Sequence, residues 1–221
     1  MKRFALLLIG LCASLAMAQL YPSKLGLLSS AALRLSEIRI RTELHISEGQ
    51  GDSISKLLSS HAGQQQAISK ELAKAKPEQY SAIQAKLDKV EAATAKSILG
   101  VLQPSQKERL MQLAIQDAGI FALKNGEIAA KVGLTPDQKT KVQEIATLAV
   151  ATSDELGAKM AEQLQAVPQG KAGDAKRKGI VKAFEPKIKQ TETKAEAQVL
   201  ALLSKAQVAK WKSLKGKPFK L

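Results

Sequence analysis

The chain is predicted to be all-α: two tandem long antiparallel helical hairpins with short helices at their bases, elongated rather than globular. Three observations predict this. Helix formers (Ala, Leu, Lys, Gln, Glu) dominate, and only seven of the 221 residues are aromatic. No run of alternating Val, Ile and Thr is bounded by turn residues, as a strand would require. A helix-start signal, an apolar residue followed by a cap position, two spacers and Gln, occurs four times.

The first element is expected to be a leader rather than part of the fold. Lys2 and Arg3 form a positive start, Phe4 to Leu15 is an apolar run short for a membrane span, and Ala16-Met17-Ala18 is a small-x-small cleavage site. Residues 1–18 are therefore read as a signal peptide cut before Gln19, which places the protein in the periplasm or outside the cell. Leu11 stands where a lipoprotein signal needs a small residue, so Cys12 is not read as a lipid attachment site. Cys12 is the one cysteine of the sequence. The mature chain therefore forms no disulfide and its stability must come from packing.

The clearest helix start is Leu134-Thr135-Pro136-Asp137-Gln138. Thr135 suits the N-cap and Pro136 suits N1, where its missing N–H costs nothing. Asp137 favours the positive helix end, and Gln138 at N3 can reach back to the cap backbone. Gly133 suits the end of the preceding helix. The pattern recurs at Ile46-Ser47-Glu48-Gly49-Gln50, at Leu102-Gln103-Pro104-Ser105-Gln106 and at Leu203-Ser204-Lys205-Ala206-Gln207. Gln103 is the weakest of the four caps. The capping-box residues are thus Ser47, Gln50, Gln106, Thr135, Gln138, Ser204 and Gln207.

Between the boxes run apolar stripes with alternating three- and four-residue spacing, the period of a helix packed on a neighbour. The first outbound stripe is Ile54, Leu57, Leu58, His61, Gln65, Ile68 and Leu72. After the break at Pro77 the return stripe is Tyr80, Ile83, Leu87, Val90, Thr94, Ile98 and Val101. Thr94 is a polar member whose hydroxyl can bond back to the preceding turn. The second half repeats this with Val142, Ile145, Ala149, Thr152, Leu156 and Met160, a turn at 168–170, and Val181, Phe184, Ile188, Thr191, Ala195, Val199 and Leu202. Pro186 predicts a kink, and residues 169–178 look flexible.

The flanks of the boxes recur too. Ile40 aligns with Ile128, Leu110 with Trp211, and Leu113 with Leu214. The chain therefore reads as a duplication, with its boundary in the stretch 119–126. The expected domains are the signal peptide 1–18, a first hairpin half 19–122, a second 123–215 and a basic tail 216–221.

Chemistry is sparse. The mature sequence holds only His45 and His61, in different predicted helices, so no metal site is expected. His61 is read as a partly buried polar residue of the hairpin seam. No phosphate-cradling glycine loop, nucleophile setting or carboxylate pair among apolar residues is present, so neither catalytic nor cofactor-binding residues are assigned.

The strongest compositional signal is charge, with 34 Lys and Arg against 20 Asp and Glu. Lys171, Lys176, Arg177, Lys178 and Lys182 gather at the predicted tip of the second hairpin and form the candidate partner-binding cluster. Further lysines gather at the C-terminus. Such an excess points to acidic partners: client proteins or anionic surfaces. Nucleic acid is disfavoured by the export signal and by the shortage of aromatic residues for base stacking.

The Leu-Thr-x-x-Gln box on an exported, helical, Ala/Lys/Gln-rich chain resembles the LTxxQ (Spy/CpxP-like) family of bacterial periplasmic proteins. The resemblance is strict at Leu134–Gln138 and covers variants at the other three boxes. It implies a thin all-α cradle and envelope-stress duties, with relatives that act as ATP-independent chaperones and others that sense metals. The metal-sensing ligands have no counterpart here. Family members usually carry two boxes per chain and pair as dimers. Four boxes in one chain imply a monomer resembling a covalent pseudo-dimer, or at most a weak homodimer. The expected function is an exported, non-enzymatic binding protein that holds unfolded or envelope proteins. The alternative is a structural envelope protein bound through its basic surface to anionic lipid or cell wall. A long-armed chaperone resembling the Skp type is a third reading, but it lacks the four boxes.

Overall fold

The computed structural model describes residues 25–168 and 170–219, and of residues 171 and 172 the backbone alone. The predicted leader and its cleavage site lie outside the described residues, as do Gln169 and Lys220. The fold is all-α, with nine α-helices, two 3₁₀ segments and no strand among the described residues. The residues divide into two compact units between Ala114 and Ile115, whereas the sequence reading placed the division after residue 122.

The first unit comprises α1 (Leu27–Leu33), α2 (Ile38–Glu43), α3 (Glu48–Leu72), a 3₁₀ turn (Pro77–Gln79), α4 (Tyr80–Val101) and the first part of α5 (Pro104–Ala118). α3 and α4 pack side by side. Their antiparallel sense follows from three contacts along the seam: Gln50 with Val101, His61 with Thr94, and Glu71 with Lys86. The seam closes on Ile54, Ile83 and Ile98, all buried. Each such side chain contributes about 1.5–3 kcal/mol through burial. α1 was not foreseen. It packs on α4, and Ala32 and Ala95 are both fully buried, so small side chains let these helices approach. At the base, Arg109 of α5 reaches Glu43 of α2 at 2.6 Å.

The second unit comprises the end of α5, a 3₁₀ segment (Gly119–Lys124), α6 (Gly126–Val132), α7 (Pro136–Gln165), α8 (Lys171–Leu202) and α9 (Lys205–Leu214). α7 and α8 pack as the second hairpin, and the 3₁₀ segment packs on both. Ile128, Val132, Val142, Val199 and Trp211 are fully buried. The helix α8 runs through Pro186, which is exposed.

The tip of this hairpin is built rather than loose. Arg177 folds back and donates to the carbonyls of Val167 at 3.4 Å, Pro168 at 2.8 Å and Gly170 at 3.2 Å, and it meets Asp174 at 3.2 Å. Gly173 is obligatory in this turn, because a Cβ there would lie 2.0 Å from the Pro168 carbonyl oxygen. The stretch read as flexible is therefore helical from Lys171 onward.

Candidate functional site

The feature that singles this chain out is what its four box glutamines do. Each first completes its own helix start. Gln50 Oε1 accepts from the Ser47 backbone N–H at 3.1 Å, Gln106 Oε1 from Gln103 at 2.9 Å, Gln138 Oε1 from Thr135 at 3.0 Å and Gln207 Oε1 from Ser204 at 2.9 Å. The hydroxyls of Ser47, Thr135 and Ser204 accept in return from the N3 backbone N–H, which closes three reciprocal boxes.

The glutamines then pair across each unit. Gln50 Nε2 donates to Gln106 Oε1 at 2.9 Å, and Gln106 Nε2 donates back to Gln50 Oε1 at 3.1 Å. Gln138 and Gln207 do the same at 3.0 and 2.8 Å. The second amide hydrogen of each goes to a helix C-terminus. Gln50 Nε2 reaches the Val101 carbonyl at 2.9 Å, and Gln138 Nε2 reaches that of Leu202 at 2.7 Å. Gln106 Nε2 reaches the carbonyls of Leu44 and His45 at 3.1 and 3.3 Å, and Gln207 Nε2 reaches that of Gly133 at 2.7 Å.

One pair of amides therefore ties together four helix ends: the starts of two helices and the finishes of two others. Those ends carry N–H and C=O groups with no partner inside their own helix. Only a primary amide supplies both acceptor and donor here. Glutamate at N3 would complete the box but could not donate to the carbonyls or to its partner. The choice of Gln over Glu at all four positions was the signal of this pairing in the sequence.

The finishing turns match as well. Gly133 ends α6 with φ +81°, and His45, at the corresponding place after α2, has φ +49°. In both, the following residue's N–H reaches back around the turn, Leu134 to Ala129 and Ile46 to Arg41. His45 thus holds a left-handed backbone that costs a non-glycine residue about 1 kcal/mol.

The two units differ at the seam. His61 is 8% exposed, and its Nδ1 lies 3.3 Å from the hydroxyl of Thr94, which donates to the Val90 carbonyl at 2.8 Å. Burial holds the imidazole below its ordinary pKa, opposed by the nearby charge of Glu91. The residue fourteen after Thr135, corresponding to His61 after Ser47, is Ala149; the residue nine before Ser204, corresponding to Thr94 before Gln103, is Ala195. Both alanines are buried. A polar pair in one hairpin is thus replaced by a small apolar pair in the other.

Of the predicted tip cluster, Lys176, Lys178 and Lys182 are exposed, the side chain of Lys171 is not described, and Arg177 is turned into the turn it caps. The sequence reading missed a second cluster element, the anchoring of the C-terminal tail. Gln116 donates to the carbonyls of Lys215 at 2.5 Å and Lys217 at 2.7 Å and accepts from the Phe219 N–H at 2.8 Å. Among the described residues no group of three His, Cys, Asp or Glu side chains stands close enough to hold a metal, and no helix is long and apolar enough to cross a membrane. A hollow of about 10 Å³ beside Ile40, Leu110 and Leu113 has room for roughly one water-sized sphere. No family model, no curated protein and no solved structure matches the chain.

Proposed function

We propose that the protein is an exported helical binding protein of the bacterial envelope that holds unfolded protein segments without ATP, as a Spy-like chaperone or envelope-stress factor. The observation that carries this reading lies on α7. Leu148 is 69% exposed and Val150 46%, on a helix whose charged residues are of both signs. Large apolar side chains left in water on a rigid helix suit transient contact with apolar stretches of a client, and the basic balance of the whole chain, 34 Lys and Arg against 20 Asp and Glu, favours acidic ones. The box glutamines are fully engaged with each other and with backbone, so the boxes serve to brace this surface rather than to bind. Two clasps in one chain favour a monomer that stands in for a dimer.

The test is suppression of aggregation of a chemically unfolded model protein. The wild-type chain should suppress at near-equimolar ratio, less so in high salt, and Leu148→Gln with Val150→Gln should weaken the effect several-fold. Absence of suppression at equimolar protein would sink the reading.

A further inference from the structure

The C-terminal segment 204–219 carries Lys205, Lys210, Lys212, Lys215 and Lys217 and no acidic residue. Among the described residues none of these five forms an ion pair with a carboxylate. Lys215 lies over the Trp211 ring, 5.5 Å from its centroid, and the other four are exposed. By contrast, the tip of the second hairpin mixes its cations with Asp174 and Glu185, and Arg177 is engaged internally. Five cations with no acidic residue among them are therefore carried by α9 and the tail, whereas the tip that the sequence singled out has acids interspersed.

That charge is also held in place. The clasp of Gln207 fixes the start of α9, buried Trp211 fixes its middle, and Gln116 binds the tail backbone at residues 215, 217 and 219. Five cations are thus presented on a rigid support.

We propose that α9 and the tail form a peripheral docking platform for an anionic lipid bilayer surface. The chemistry selects this occupant. A specific protein interface is anchored by buried aromatic or apolar side chains and is depleted in lysine; here the one tryptophan is buried inside the unit, and no large apolar side chain is exposed on 204–219. Single-stranded nucleic acid is held by exposed stacking aromatics, whereas Trp211 here is buried and Phe219 half-buried. All five cations are Lys rather than Arg, point charges suited to a diffuse field of headgroups rather than to bidentate recognition of one phosphate. A lysine near an anionic bilayer raises partitioning roughly five-fold, and the effect fades within about 10 Å at 0.1 M salt. The proposal is independent of whether the protein holds clients.

The test is co-sedimentation of the full mature chain with phosphatidylcholine vesicles containing about one third phosphatidylglycerol, against vesicles of phosphatidylcholine alone. Binding to the anionic vesicles is expected at low salt and should be lost in 0.5 M salt. The set Lys205→Gln, Lys210→Gln, Lys212→Gln and Lys217→Gln should lower partitioning at least about tenfold, with unchanged helical circular dichroism. The set Lys176→Gln, Lys178→Gln and Lys182→Gln should leave most of it. Equal binding to both vesicle types, no loss in the first variant, or an equal loss in both variants would overturn the proposal.

Discussion

Gln138 and Gln207, 69 residues apart, hold each other amide to amide at 3.0 and 2.8 Å. Each also carries its own helix cap and the end of another helix, so every hydrogen-bonding position of both amides is filled. Gln50 and Gln106 repeat the arrangement in the first unit. The recurrent box is thereby explained as a joint between helix ends.

Replacing one glutamine by glutamate keeps the cap and removes the donor. Gln207→Glu should leave the Gly133 carbonyl without its partner and should cost about 1–3 kcal/mol. Gln138→Glu with Gln207→Glu places two carboxylates in contact, which raises their folded-state pKa above the unfolded value. The double variant should therefore be most stable below the ordinary carboxylate range and lose stability as pH rises through the raised value. Thermal unfolding at pH 4 and pH 7, followed through the fluorescence of Trp211, measures this. A double variant that is as stable as wild type at pH 7 would contradict the donor role.

His45→Gly should stabilise the first unit by roughly 0.5–1 kcal/mol. The substitution relieves the left-handed backbone at φ +49° while keeping the carbonyl that Gln106 binds. Gly133→Ala at the corresponding turn should destabilise the second unit by a similar amount, because its φ is +81°. Denaturant midpoints compare the two. A loss of stability in His45→Gly would count against the equivalence of the turns.

The first hairpin should soften in acid and the second should not. Burial lowers the pKa of His61 from 6.5, with Glu91 acting in the opposite direction. The unfolded chain therefore binds the proton more readily, so the contribution is complete above pH 6.5 and is lost as pH falls through the depressed folded value. Hydrogen exchange along α3 and α4 should quicken between pH 7.5 and 5, after correction for intrinsic rates, more than along α7 and α8. His61→Ala with Thr94→Ala, which copies Ala149 and Ala195, should abolish the difference. Equal softening of both hairpins would refute this assignment.

Gly173→Ala should break the tip of the second hairpin, since the new methyl group meets a backbone oxygen that cannot move aside. A cost of roughly 1–3 kcal/mol is expected. Arg177→Gln should cost about 1 kcal/mol through the carbonyls it serves, whereas exposed Lys178→Gln should be neutral. Chemical denaturation separates the three, and a neutral Gly173→Ala would mean the turn tolerates a different path.

Much of this fold could be read locally. The boxes, the three-four spacing and the breaks at Pro77 and Pro168 depend on neighbours within a few residues, and so do the caps at Ser47, Thr135 and Ser204. The pairing of the boxes could not be read so directly, because the partner of Gln50 lies 56 residues away and that of Gln138 lies 69. α1 and the 3₁₀ segment at Gly119–Lys124 were missed because segments of seven and six residues are too short to show a period; packing on the hairpins holds them. Arg177 looked like a surface cation in a basic run, and only the fold of the turn places three carbonyls within its reach.

The most direct measurement is a double-mutant cycle on Gln138→Ala and Gln207→Ala, followed by chemical denaturation of the protein. Two amides that bond each other should show a coupling of about 0.5–3 kcal/mol. Additive single effects, with a coupling indistinguishable from zero, would mean that each glutamine only caps its own helix and that no clasp closes the hairpin.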